Sequence, residues 1–140
     1  MQNVDCVENE IMFDGSTLIS ETDTSGIITY VNRKFCEVMG YSKDELIGKP
    51  HNIIRHPDMP TLAFQELWNR INQGKRWSGY IKNLHKDGRF SWVIADIISV
   101  YNNEGKRTGY IATRRVPGKN LIEIKKQYKK FKDFELSSKS

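Results

Sequence analysis

Apolar and polar residues change their period several times along this chain, and each change marks an element. Residues 17–22 alternate weakly, as a half-buried strand does. Asp23, Thr24, Ser25 and Gly26 supply a turn, and residues 27–31 return as a second strand, making a hairpin. Asn32 can cap a helix over residues 33–39 that turns Phe35, Val38 and Met39 inward, and Gly40 can end it. Ser42, with Glu45 three positions on, forms a capping box for a short helix that packs Leu46 and Ile47 and closes at Gly48. Over residues 61–72, Leu62 or Ala63, Phe64, Leu67, Trp68 and Ile71 recur at helical spacing. Three strands follow at 77–84, 90–101 and 107–115. Their turns contain Asp87-Gly88 and Glu104-Gly105, where a tight hairpin needs positive φ. Sequential hairpins predict an α+β fold: a five-stranded antiparallel sheet with short helices over one face.

Parity refines this picture. Trp77, Gly79, Ile81 and Asn83 share one face of their strand, and Gly79 leaves room between Trp77 and Ile81. Trp77 and Asn83 lie about 20 Å apart at ~3.3 Å per residue, a span that suits an elongated ligand gripped at both ends. A core Trp and a strand-end Asn would look the same. In the next strand Phe90, Trp92, Ile94, Ile98 and Val100 share a face with Asp96, opposite the smaller Ser91, Val93, Ala95, Ile97 and Ser99. With the small face inward there is space for a cavity, and the large face becomes an outward apolar patch wanting a partner. The opposite orientation puts the large face in the core.

The tail after Pro117-Gly118 reads differently. Leu121, Ile124, Tyr128, Phe131 and Glu135 follow 3-4-3-4 spacing, an apolar seam broken only by Glu135, with lysines on the other faces. A helix this short needs a surface or a second helix to dock on. Its basic faces would also suit an anionic membrane surface, but the seam favours docking or coiled-coil pairing. The expected organisation is a lead-in over 1–16 with Ile11, Met12 and Phe13 as docking residues, a domain over 17–116, and a basic amphipathic helix over 117–140. The net charge of +5 sits mostly in that tail, where seven lysines face three acidic residues. The rest, with 15 basic and 14 acidic residues, is close to neutral and does not read as a nucleic-acid surface.

No apolar run approaches the ~18–20 residues of a membrane span. The N-terminus lacks the basic and apolar regions of a signal peptide, so a cytoplasmic location is expected, with membrane association only through a partner. Cys6 and Cys36 form no CxxC or zinc pattern, and Cys36 lies among the inward residues of its helix as a core thiol. The chain lacks a phosphate loop, a nucleophile elbow and a zinc-protease motif. His51, His56 and His85 have no metal-triad spacing. Residue chemistry gives no case for an enzyme.

Residues 49–60 are the least ordinary stretch. They hold His51, Arg55, His56 and Asp58 among Pro50, Pro57 and Pro60. Prolines at that spacing exclude a regular helix or strand. The segment is a stiff loop with convergent polar groups, suited to gripping a small ligand. It would equally serve as a connector held by an Arg55–Asp58 salt bridge.

The element order, with Asp23-x-x-Gly26, Ile28-x-Tyr30-x-Asn32-x-x-Phe35, Gly40-Tyr41-x-x-x-Glu45-Leu46-x-Gly48, Lys86-Asp87-Gly88 and Trp92, resembles a PAS domain over roughly residues 17–115. The stretch Pro50-His51-Asn52-x-x-Arg55-His56-Pro57-Asp58-Met59-Pro60, with Trp77-Ser78-Gly79 and Lys82-Asn83, is similar to the PAS domain of bacterial aerotaxis receptors. That resemblance implies non-covalent FAD and redox sensing for energy taxis. It places cofactor-binding positions at Arg55, His56, Asp58 and Trp77, an Asn against the flavin ring at Asn83, and further pocket positions at Asn32 and Asn52. The implied roles are Arg55 on phosphate, Asp58 orienting Arg55 or accepting from a hydroxyl, His56 hydrogen-bonded to the cofactor, and Trp77 against an aromatic part of FAD. Light-sensing flavin PAS domains carry a reactive Cys where this chain has Ile53, which argues against blue-light adduct chemistry. Aerotaxis receptors continue into a membrane segment and a signalling domain. The chain starts at Met1 and carries its own docking helix, so the expectation is a stand-alone PAS protein serving a membrane-bound chemotaxis transducer rather than an excised domain. A homodimer through the sheet face or tail helix would fit the same surfaces. The alternatives are a PAS interaction module with an empty pocket or another ligand such as haem, and, with no second substrate site in view, a flavin-dependent enzyme.

Overall fold

The computed structural model describes residues 10–118 and 121–138. Strands β1 (Leu18–Asp23), β2 (Ile28–Val31), β3 (Trp77–Leu84), β4 (Phe90–Tyr101) and β5 (Arg107–Arg115) form one antiparallel sheet in the order β2-β1-β5-β4-β3. Helices α1 (Arg33–Met39), α2 (Lys43–Leu46) and α3 (Thr61–Asn72) lie between β2 and β3 in sequence, and α4 (Leu121–Ser138) follows β5.

The caps act as the sequence predicts. Asn32 Oδ1 accepts from the Phe35 amide at 3.0 Å, Ser42 and Glu45 close a reciprocal capping box, and Gly40 ends α1 at φ 83°. Gly88 and Gly105 turn the two later hairpins at φ 92° and 79°.

The residues of β4 opposite α4 are the small ones. Ala95 faces Gly79 and Arg114 across the sheet, and Ile97 faces Trp77 and Ala112. This small side faces α1 to α3. One core cluster gathers Leu18, Ile28, Phe35, Met39 and Leu46 under α1 and α2. A second gathers Ala63, Leu67, Ile71, Trp77, Ile81 and Val93 under α3. Of the α3 alternatives it is Ala63 that turns inward, while Leu62 is 47% exposed. The large side of β4 faces the other way. Its Trp92 packs against Tyr128 of α4, ring centroids 5.8 Å apart, although Ile98 stays 43% exposed. Thus the tail helix docks on its own domain, with Leu121, Ile124 and Tyr128 of the seam packed inward. The lead-in also docks in part: the Ile11 amide donates to the Phe90 carbonyl at 2.6 Å, and Phe13 packs on both clusters. Residues 1–9, including Cys6, lie outside the described residues.

Glu135, the polar break in the seam, has a structural use. Pro60 precedes α3 and offers no side-chain cap. Glu135 Oε2 accepts from the Thr61 amide at 3.1 Å and Oε1 from the Leu62 amide at 3.0 Å. A carboxylate from α4 therefore caps α3, where the helix dipole also favours negative charge. Glu135→Ala should cost about 1 kcal/mol in a denaturant titration. It should also speed hydrogen exchange at the Thr61 and Leu62 amides first. Unchanged exchange at those two amides would mean that the cap contributes nothing.

Candidate functional site

Residues 48–59 cross the inner side of the sheet from one edge strand to the other. At the β2 edge, the Ile28 amide donates to Lys49 and the His51 amide to Gly26, each at 2.9 Å, and Ile27 bridges Pro50. At the β3 edge, Arg55 bridges Asn83, and the Lys82 amide donates to Met59 Sδ at 3.3 Å. Between them lies one 3-10 turn, His51–Ile54. Four inter-strand gaps separate β2 from β3, about 19 Å in a flat sheet. A 3-10 turn rises only about 2 Å per residue, so the five steps from Pro50 to Arg55 cannot span that width. The sheet must coil until its edges approach.

The coil encloses a cavity of about 300 Å³. Its wall takes Ser20 and Thr22 from β1, Ile81 and Asn83 from β3, Ile97 from β4, and Tyr110, Ala112 and Arg114 from β5. The loop adds Pro50, His51, Asn52, Ile54 and Arg55, and α3 adds Phe64, Leu67 and Trp68. Asn52, Arg55 and Trp68 are exposed and frame the mouth, while Ser20, Asn83, Ala112 and Arg114 are buried and form the floor.

Three of the seven residues singled out from the sequence meet here: Asn52, Arg55 and Asn83. The Arg55 guanidinium carbon lies 3.8 Å from the Phe64 ring centroid, a cation–π contact at the mouth. Asn83 is 3% exposed. Its Nδ2 donates to the Ile54 carbonyl at 3.3 Å, and its Oδ1 is buried without a partner.

The other four do not reach the cavity wall. Asn32 is spent on structure: beyond capping α1, it accepts from the Ile19 amide and donates to the Thr17 carbonyl. Trp77, 4% exposed, folds its indole over Gly79, filling the space that the missing side chain leaves. Asp58 pairs with Lys82 at 3.1 Å rather than with Arg55. Burial pushes the Asp58 carboxyl up, but the hydrogen bond and charge of Lys82, with smaller help from His56 and Lys132, together hold it below its usual range. His56 packs edge-on against Phe90 at 5.7 Å and accepts the Asp58 amide on Nδ1 at 3.1 Å. Asp58 lines a groove beneath α4, on the outer side of the sheet. A cofactor role for these four is carried by resemblance alone.

A family description of the PAS fold matches residues 28–114. The chain belongs to the PAS family. This PAS domain is 40% identical over 123 residues to the aerotaxis receptor of Escherichia coli (strain K12), covering 87% of this chain and 24% of the receptor. It is 34% identical over 100 residues to the nitrogen fixation regulatory protein of Klebsiella pneumoniae, covering 71% of this chain and 20% of that protein. Among solved structures, the light state of the blue-light photoreceptor Aureochrome1 LOV matches with a TM-score of 0.68 at 22% identity, over 76% of this chain and 86% of the other. The chain thus spans a quarter or less of these two curated relatives.

The sequence reading missed Ser20, His51 and Arg114 as site residues. Arg114 Nη1 donates to Ser20 Oγ at 3.0 Å and Nη2 to His51 Nε2 at 2.8 Å. Alternation within β5 puts Tyr110, Ala112 and Arg114 on one face, but only the pairing with β1 and β4 makes that face the inner one. Burial first, then the Arg114 charge, lowers the His51 ring to about 3. Burial first, then Lys82, lowers His56 to about 4, and burial also lowers His85. These rings are neutral when folded and take up protons first when unfolded, so stability falls as pH drops from about 6.5 towards 4. An acid titration followed by chemical denaturation should show a loss of up to about 1.4 kcal/mol per pH unit for each such ring. A flat profile over that window would mean that the rings are accessible to protons in the folded state.

Proposed function

We propose that this PAS domain is a redox sensor that holds a flavin, FAD in particular, and relays its redox state to a chemotaxis signalling partner, a membrane-bound transducer. The observation that carries the reading is the buried, unpaired Asn83 Oδ1 on the floor of a cavity whose mouth is framed by Arg55. An unpaired buried acceptor is costly unless a ligand donates to it, and a planar imide edge offers such a donor beside an acceptor for an amide N–H. The cavity is at the small end of ligand pockets, so it suits the flavin ring with the phosphates left at the mouth, near Arg55. The choice of FAD and of a chemotaxis partner follows the resemblance drawn from the sequence, with which the 40% identity to the aerotaxis receptor agrees. Among the described residues, no helix is long and apolar enough to cross a membrane, and a cytoplasmic place beside the transducer is part of the proposal. Haem is less well supported. His51 is the histidine on the cavity wall, and its Nε2 already accepts from Arg114.

Two contacts tie the site to α4. Asn83 faces the cavity, while its neighbour Lys82 turns outward to Asp58 and lies 4.2 Å from the Phe90 ring, in the groove under α4. Glu135 of α4 caps α3 directly after the loop. The tail helix is thus the natural output surface, and a ligand that binds two redox states differently would bias its docking.

An absorption spectrum of the purified protein should show flavin bands that bleach with dithionite. Arg55→Ala should weaken FAD binding by about 10- to 100-fold, the worth of a charge-assisted hydrogen bond. A protein without these bands, even after incubation with FAD, would leave a PAS interaction module. Hydrogen exchange across α4 should change on reduction, and an identical pattern in both states would remove α4 as the output.

A further inference from the structure

Arg114 is an anomaly in the cavity floor. It is 2% exposed and sits in β5 between Leu18 of β1 and Ala95 of β4. Besides its bonds to Ser20 and His51, its guanidinium carbon lies 5.3 Å from the centroid of the Phe35 ring, and among the described residues its Nε is buried without a partner. Among the described residues no carboxylate pairs with it. A guanidinium has donors only, so His51 Nε2 must be the acceptor and the neutral ring keeps its proton on Nδ1. Burial draws Arg114 down to about 10, which still leaves it charged at neutral pH. The floor therefore holds a full positive charge whose hydrogen-bond partners are both neutral. Such a charge is costly unless the cavity's occupant answers it.

The geometry points to Arg114, held in place by Ser20 and His51, as the counter-charge for a flavin ring that becomes anionic on reduction. This inference rests on the flavin reading above and deepens it. A reductant that delivers two electrons, with one proton taken from water, leaves a neutral flavin ring with one net negative charge. Fixed positive charge beside that ring favours the reduced form. Phosphate is the other anion a flavin nucleotide carries, but it is strongly hydrated and suits the exposed Arg55 at the mouth rather than the closed floor. Ser20 and His51 act as positioning residues that fix the fork of the guanidinium.

The test compares the full chain with Arg114→Met and Arg114→Lys. Each is loaded with FAD and, separately, with riboflavin, which has no phosphate. Dissociation constants are measured for oxidised and dithionite-reduced flavin, and the midpoint potential is measured independently. Arg114→Met should weaken binding of the reduced form at least tenfold more than that of the oxidised form, with either flavin. A tenfold difference corresponds to a potential about 30 mV more negative for a two-electron couple. Arg114→Lys, which keeps the charge and loses the fork, should fall between. Equal weakening of both forms would overturn the inference and leave the flavin reading standing, with Arg114 only shaping the cavity. An effect seen with FAD and absent with riboflavin would reassign Arg114 to phosphate and overturn it too. Wild-type protein that binds neither flavin would overturn both readings. If Arg114→Met does not fold, nitrogen NMR of the wild-type Arg114 side chain still decides. Its Nε–H signal should move on reduction, and an unmoved signal would overturn the inference.

Discussion

One loop holds the two free edges of the sheet together, and the cavity depends on that restraint. An edge strand exposes unpaired N–H and C=O groups that must be covered. Here residues 48–59 cover both edges, with backbone bonds to Ile28 of β2 and to Gly26 in the turn before it, and contacts to Lys82 and Asn83 on β3. The crossing is a single 3-10 turn, too short for a flat sheet, so closure and curvature come together. Prolines at 50, 57 and 60 restrict the loop's alternatives and lower the entropy lost on ordering it.

What the coil encloses is polar at its floor and apolar in its walls. Ser20 and Ala112 on the cavity wall are small enough to leave space that a Leu or Phe would fill. The domain gives up some apolar burial there and keeps Asn83 and Arg114 under-satisfied, a pattern typical of a site kept ready for a ligand. On the other side of the sheet α4 covers Trp92 and reaches the start of α3 through Glu135. The loop, α3 and α4 therefore meet around one short stretch, residues 55–62, and a change at the cavity has few bonds to cross before it reaches the tail.

The sequence by itself determined the local elements, because each rests on local chemistry. Asn32 and Ser42 cap their helices, Gly40, Gly88 and Gly105 take positive φ, and the strands keep their period of two. It also singled out the stretch around Arg55, because prolines among charged residues are legible without a fold. Only the tertiary structure decided which face of β4 turns inward, since alternation assigns residues to faces and not faces to sides. The same limit hid Arg114. An arginine near the end of a strand reads as solvated until the pairing of β5 between β1 and β4 puts it in the floor beside Ser20 and His51. It likewise separated Asp58 from Arg55, three residues apart in sequence, because the loop turns one to the cavity mouth and the other to Lys82 on the far side. Neighbours in sequence share a loop, but which surface each reaches depends on strands twenty or more residues away.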